Sequence, residues 1–436
     1  MSAKGTPAAQ ERVTRSSARV SAPADPKSPS PRRGNSSSGG QRRGAAAASA
    51  PRGGPEHVSL SQAGGGDLVH DVLAATLHRL RIRKQSRSES TAVINDMVDA
   101  IVRHLHRQED CFCDVTRLRT GSYYENVKIC QPDEFDVMLA VPVHSVEIRQ
   151  FDSEGAFYSV AIKERSRRHP LGQFALEDGV ISASDMLAKF RKHIMNAVRK
   201  MGMTDVRVER KKKGCPAVTL LVKEEDLQIG LDIVLALEVR SCWPTFTKDG
   251  FKIEKWLGSK VKRDFKFKPF YLVPKYEGNG SEELDGVCAR DAWRISFSHV
   301  EKEILKYHGS TKTCCEVGGT QCCRRECLKL LKHLLKALQE KYPKDLSKFT
   351  SYQVKTTLLH ACTVRVHDTD WRMEDLGYCF QMLLEDFQRY LQGGHLPNFF
   401  IPTHNLLGPK VNQRSCNLLA KYIEFQQNNM FPIFFS

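Results

Sequence analysis

Gly121-Ser122, followed after eleven residues by Glu134-Phe135-Asp136-Val137, is the stretch on which the fold turns. Strand side chains alternate between faces, so on a strand Glu134 and Asp136 point the same way while Phe135 enters the core. Two carboxylates converging from a rigid strand repel each other unless a cation lies between them, and hard oxygen ligands select Mg2+ or Mn2+. Gly121 lets the backbone approach a phosphate closely, and the Ser122 hydroxyl and neighbouring amides can bond its oxygens.

A third acid, Asp232, interrupts the apolar run from Ile229 to Leu237, where a carboxylate without a partner is costly to bury. Placed on a neighbouring strand, it completes a triad for two divalent ions, Mg2+ or Mn2+. In two-metal phosphoryl transfer one ion activates the attacking hydroxyl and the other stabilises the pyrophosphate leaving group. Asp232 then helps to hold the first ion and can take the proton.

The rest of the chain is consistent with an intracellular enzyme that meets a polyanion. It has 436 residues, enough for a full core, and Lys and Arg outnumber Asp and Glu by 66 to 50. Residues 1–66 are Ser, Ala, Gly, Pro and Arg with almost no large apolar side chain, which predicts a disordered basic tail. That tail has ten basic and three acidic residues, so about +9 of the net +16 falls on the remainder. The N-terminus lacks an apolar signal segment, the cysteines crowd between Cys314 and Cys327, and no run of 18 apolar residues occurs. The expectation is a reducing compartment, neither secreted nor membrane-spanning.

Apolar residues at helical spacing from Val69 to Leu80 and from Val93 to Leu105 predict one long helix, kinked or straight, with a basic patch midway that includes Arg83, Lys84 and Arg87. Strands are predicted at 135–143, 157–164, 205–211, 217–223 and 228–239, with a helix at 184–201 between them. Beyond about Asp291 the pattern is helical, at 326–342, 351–362, 373–391 and 412–427. The fold class is therefore α+β, with a twisted mixed sheet lobe over residues 67–290 and a helical lobe over 291–436.

His308, Cys314, Cys315 and Cys322 form a compact H-x5-C-C-x6-C set that suits one tetrahedral Zn2+ in a closed, structural site; Cys323 is an alternative to Cys322 as the fourth ligand. Around this insertion (308–323) stand Lys302, Lys306, Lys312, Arg324, Arg325 and Lys329. A rigid basic rim is what sequence-independent binding to a phosphate backbone requires. No helix presents a set of residues for reading bases.

Gly-Ser, acid-apolar-acid and a later acid resemble the nucleotidyltransferase superfamily. Six blocks narrow the resemblance to the DNA-sensing branch of its Mab-21-like family: 120–125, Glu134-Phe-Asp136, 215–220, 232–238, 293–299 and the His-Cys-Cys-Cys insertion. The resemblance covers residues 66–436 and implies a bilobal fold with a spine helix, and a DNA-activated two-step reaction. ATP first adenylylates the 2′-hydroxyl of GTP, and a 3′-5′ bond then closes cyclic GMP-AMP. It further implies that Gly121 and Ser122 meet donor phosphates, that Thr120 and Arg294 read the acceptor guanine, and that Ser296, Ser298 and Glu301 line the pocket. Lys332 and Ser351 are assigned to phosphates, and Tyr352 to stacking on a base. Double-stranded DNA along the long helix and the zinc insertion, a homodimer on that DNA, nucleosome or acidic-membrane contact through basic surfaces, and a place in cytosol and nucleus complete the expectation. Two residues depart from the family pattern: Val234, where a threonine is expected, and Gln321, at a place often basic. A 2′-5′ oligoadenylate synthetase would share the acid triad without the zinc insertion, and a non-catalytic scaffold of the family would not keep the triad.

Overall fold

The computed structural model describes residues 63–435 apart from 83, 130–132, 164–168, 225–226, 277 and 409–410. The predicted tail lies outside the described residues as far as 62; from Ala63 the chain is helical, just before the predicted boundary.

The expected long helix is two. Helix α1 (Ala63–Arg79) and α2 (Lys84–Leu105) are separated at 80–83, where the Leu80 amide still bonds to Thr76 O but Arg81 N reaches only His78 O, closing the turn tightly. His78 and Arg79 in the last turn of α1 favour its carbonyl terminus. The apolar side of α1 packs on the C-terminal helices and that of α2 on the sheet lobe, so the break falls where the lobes meet.

The sheet carries the site. Its strands are β1 (Thr116–Thr120), β2 (Glu134–Val143), β3 (Val146–Gln150), β4 (Phe157–Ile162), β5 (Val206–Val208), β6 (Ala217–Glu224), β7 (Leu227–Val239), β8 (Phe270–Val273) and, after the small hairpin β9 (Glu283–Leu284) and β10 (Val287–Cys288), β11 (Trp293–Ser296). The order is β1-β2-β7-β8-β11-β4-β3, with β6 also on β7 and β5 on β6. Among the described residues only β2 and β7 run parallel, from Glu134↔Gly230 to Val143↔Val239. Along β2, Phe135, Val137, Leu139 and Val141 enter the main core, while Met138 and Ala140 form a small cluster with Ala236, Tyr271 and Val273 on the face that bears the acids. Each fully buried side chain of this size contributes roughly 1.5–3 kcal/mol.

The helices are α3 (Gly121–Tyr124), α4 (Ala183–Met201), α5 (Glu254–Leu257), α6 (Ser259–Lys266), α7 (Ser298–Lys306), α8 (Arg324–Lys341), α9 (Pro343–Leu346), α10 (Ser351–Val364), α11 (Leu376–Gly393) and α12 (Gln413–Asn428). Helix α4 begins at Ser182, which accepts from Asp185 N, and ends at Gly202 with φ 65°. The segment 373–375, expected to open α11, is a 3-10 turn. No helix among the described residues is long and apolar enough to cross a membrane.

Candidate active site

Parallel pairing of β2 with β7 sets Asp136 directly opposite Asp232, and antiparallel pairing of β1 with β2 sets Thr120 opposite Asp136. Thr219 on β6 faces Asp232 and donates its hydroxyl to Oδ1 at 2.5 Å, fixing that carboxylate. Glu134 stands at the open end; Lys128 donates to its Oε2 at 2.8 Å and also pairs with Asp133 at 3.0 Å. Burial first, then the charges of Asp232 and Glu134, push the Asp136 carboxyl up to about 6. Three acids, of which Glu134 alone pairs directly with an ammonium among the described residues, make an undercompensated negative cluster, and that fits a divalent cation.

Gly121 is required by this packing. Its φ is +82°, and a Cβ there would lie 2.1 Å from Asp136 Oδ2. Replacing Gly121 by Ala is expected to cost about 1–3 kcal/mol in strain and to displace the Asp136 carboxylate. Steady-state assays of the variant should show synthesis reduced roughly 100-fold, the scale of an ångström-level misplacement.

A cavity of about 440 Å³ opens over the acids. Its wall brings together Glu134, Asp136, Thr120, Gly121, Ser122, Arg294, Ser296, Ser298, Glu301, Lys332, Ser351 and Tyr352, while Asp232 stands behind Asp136 on the next strand. Val234, one of the two departures, also lines it. The Lys332 ammonium donates to Val127 O at 2.8 Å. Burial pushes it down to about 8; Glu125 opposes that and the neighbouring Lys355 adds to it. A bound phosphate would reverse the shift, so Lys332 is poised to gain a counter-charge.

Lys355 is a part of this wall that sequence reasoning missed. On α10 it bridges Glu125 at 2.9 Å, just after α3, and Glu301 at 2.8 Å on α7. Glu301 also accepts from Tyr352 Oη at 3.0 Å, so both of its carboxylate oxygens are engaged by protein. Burial alone would lower the Lys355 pKa; the two carboxylates outweigh it and hold the ammonium charged. A single lysine in Val354-Lys-Thr-Thr-Leu-Leu359 reads as a surface residue, and only the fold shows both acids converging on it. Lys355→Met leaves two buried carboxylates without their shared cation and is expected to cost about 3–5 kcal/mol, measurable by denaturant titration.

The four residues of the cysteine-rich insertion converge as expected. Their ligand atoms lie within 4.8 Å of one another, and among the described residues they are the only set of three or more such groups to do so. Sulfur separations are 3.9 Å for Cys314–Cys315 and 3.8 Å for Cys315–Cys322, near the edge of about 3.8 Å that bonds of about 2.3 Å give a tetrahedral thiolate site. His308 Nδ1 donates to Leu305 O at 2.9 Å, which turns its buried Nε2, without a well-formed hydrogen bond, toward the sulfurs. Cys323, the alternative ligand, is fully buried beyond Cys322 and is not in the set.

The basic rim divides. Lys306 and Lys312 are exposed, and Lys302 donates to Arg119 O. Arg325 and Lys329 line a groove with Arg79, Arg81, Tyr123 and Lys128, which runs from the α1–α2 break to the segment bearing α3. Arg83 lies outside the described residues, as do the side chains of Lys84 and Arg87, whose backbone belongs to α2. Arg324 corrects the expectation: it is 1% exposed and paired with Asp368 at 2.7 Å, because its place at the start of α8 turns it inward. Gln321 turns its amide to Glu316 O and Gly319 O within the insertion.

Comparison with known proteins agrees with this geometry. Residues 123–307 match the Mab-21 protein nucleotidyltransferase domain, and residues 323–425 match the Mab-21 protein HhH/H2TH-like domain. The chain is 44% identical to a cyclic GMP-AMP synthase of Sus scrofa over 367 residues, 83% of this chain and 72% of that protein. It is 43% identical to the cyclic GMP-AMP synthase of Mus musculus over 365 residues, 84% and 70% respectively. Similarity extends to a cyclic GMP-AMP synthase-like receptor of Magallana gigas, 26% identical over 348 residues, 77% of this chain and 54% of that one.

Proposed function

The chain belongs to the cyclic GMP-AMP synthase family of Mab-21 nucleotidyltransferases and forms cyclic GMP-AMP by nucleotidyl transfer; we propose that it does so from ATP and GTP, when double-stranded DNA binds, through one 2′-5′ and one 3′-5′ linkage. The observation that carries the reading is the in-register pair Asp136 and Asp232 beneath the Gly121-Ser122 turn, with Asp136 and Glu134 lining one cavity and Asp232 directly behind Asp136.

Glu134, Asp136 and Asp232 would hold two Mg2+ or Mn2+ ions, which would supply hydroxyl activation and charge relief on the departing pyrophosphate. Asp232, oriented by Thr219, is placed to accept the proton of the attacking hydroxyl. Amides and the hydroxyl at Gly121-Ser122, with Lys332 and Ser351, hold the triphosphate. Thr120, Arg294, Ser296 and Ser298 read the acceptor base, and Tyr352, steadied by Glu301, stacks on a base. His308, Cys314, Cys315 and Cys322 would hold one Zn2+, which would fix the insertion.

Activation by DNA is supported by the groove just described. Phosphates seated against Arg79, Arg81, Arg325 and Lys329 would lie beside Lys128, which in this structure neutralises Glu134. Release of Lys128 toward phosphate frees Glu134 for a metal. With exposed Lys306 and Lys312, the same surface suits a homodimer on DNA, contact with nucleosomes or acidic membranes, and work in cytosol and nucleus.

The test is incubation with ATP, GTP and Mg2+, with and without long double-stranded DNA, reading products by mass spectrometry and nuclease sensitivity. A DNA-dependent, mixed-linkage cyclic product that is lost in Glu134→Gln is expected. Linear oligoadenylates, or tight DNA binding without product, would overturn the reading.

A further inference from the structure

The residue that left the DNA-facing rim, Arg324, makes a buried device with Asp368. Asp368 is 5% exposed and is saturated from several directions. Its Oδ1 accepts from Arg324 Nη1 at 2.7 Å and from Ser310 N at 2.9 Å; its Oδ2 accepts from Thr311 N at 2.9 Å and Thr311 Oγ1 at 2.7 Å. The Asp368 amide returns a bond to Ser310 Oγ at 3.1 Å. Arg324 in turn donates Nη2 to His367 O at 3.0 Å and lies over the buried ring of Trp371.

Ser310 and Thr311 sit between His308 and Cys314, the first two members of the metal set. The other half is tied down next door, where Cys323 N donates to Trp371 O at 2.8 Å and Cys322 bridges to Arg372. The loop bearing His308 and Cys314 and the strand-like piece bearing Cys322 are thus both moored to the segment 366–372, with Arg324 fixing that segment to α8. None of these bonds involves a ligating atom. Loss of groups that orient metal ligands without touching the ion typically weakens metal affinity by about 10–100-fold.

We infer that Asp368 and Arg324 are a positioning pair that pre-forms the His308–Cys314 half of the metal site, so that the ion is captured by a standing loop and not by a loop that must fold around it. The inference rests on the reading that His308, Cys314, Cys315 and Cys322 bind Zn2+. Two results follow from it. Loss of the pair weakens the ion's hold, and it does so more than an equal loss of global stability would.

Zinc affinity of the full-length protein, measured by competition against a chromophoric chelator, tests this, with Co2+ substitution reporting ligand geometry by its visible absorption. Asp368→Ala is expected to weaken Zn2+ binding on the order of 10–100-fold and to diminish the tetrahedral Co2+ bands. Thr311→Val, at an exposed position that removes one donor to Oδ2, should weaken it less, in the same direction, and guards against misfolding of the first variant. Leu384→Ala, a buried site on α11 in the main core, is the control: it should lower thermal stability and keep the wild-type zinc affinity. If wild-type protein holds no Zn2+, the metal reading itself fails. If it does, and Asp368→Ala and Thr311→Val match the wild type, or Leu384→Ala loses zinc as readily as they do, the positioning inference is overturned.

Discussion

Asp136→Asn is expected to reduce cyclic GMP-AMP synthesis by at least about 1000-fold, the scale at which loss of a charge partner to the transferring phosphoryl group acts, and at the same time to stabilise the metal-free protein. Both effects come from one observation. The Asp136 carboxyl is raised from an ordinary value of 3.8 to about 6 by burial and by Asp232 and Glu134. A carboxyl raised on folding favours the native state while it is protonated. That contribution is complete below the unfolded value near 4, and it is lost as pH rises through about 6. Above pH 6 the ionised group costs up to about 3 kcal/mol. Thermal melts of metal-free protein at pH 7.5 should therefore show Asp136→Asn above the wild type, with the gap closing as pH falls from about 6 to about 4. Saturating Mg2+ should lift the wild type and leave the variant nearly unmoved, since a ligand that binds only the native state stabilises it by mass action. A wild type indifferent to Mg2+, or a variant that melts lower at pH 7.5, would remove the cation from this site.

Cys322→Ser is expected to abolish stoichiometric zinc and, with it, most DNA-stimulated synthesis. Structural Zn2+ sites hold their ions with apparent free energies of about 10–16 kcal/mol at neutral pH, and that energy fixes the loop that carries them. Without the ion, the thiols of Cys314 and Cys315, 3.9 Å apart, and the buried Nε2 of His308 lose the centre that would hold them together. The exposed Lys312 lies on that loop, while Arg325 and Lys329 lie on the helix that follows. Metal analysis should fall from one equivalent to none. DNA affinity should weaken at least about tenfold, while the residual synthesis without DNA changes little, because the triad is held by sheet pairing and not by the insertion. Equal loss of basal and DNA-stimulated rates would instead mean that the insertion supports the whole fold.

The strands and helices that matter most were legible because their patterns are local. The apolar run of 135–143 behind its acid-apolar-acid start and the apolar run of 229–237 give β2 and β7, and the 3.6-residue period gives α8, α10, α11 and α12 within a few residues of their ends but not α7 or α9. Short edges such as β1 and β3, and the buried four-residue β8, carry too little pattern to be read. The helix break at 80–83 escaped because its cause is tertiary: α1 and α2 answer to different lobes. Arg324 escaped for the same reason, since nothing near it in sequence announces Asp368 more than forty residues on.

The sequence by itself determined the acids, the Gly-Ser turn, the ligand spacing of the insertion and the excess of positive charge, because each is a matter of residue type at short range. Only the tertiary structure decided which charges face solvent and which face one another. It put Asp136 against Asp232 through a parallel register, drew Lys355 between Glu125 and Glu301, turned Lys128 onto Glu134 and buried Arg324 beneath the metal loop. The physical reason is that the cost of a buried charge depends on partners brought from distant segments, and chain proximity carries no record of them.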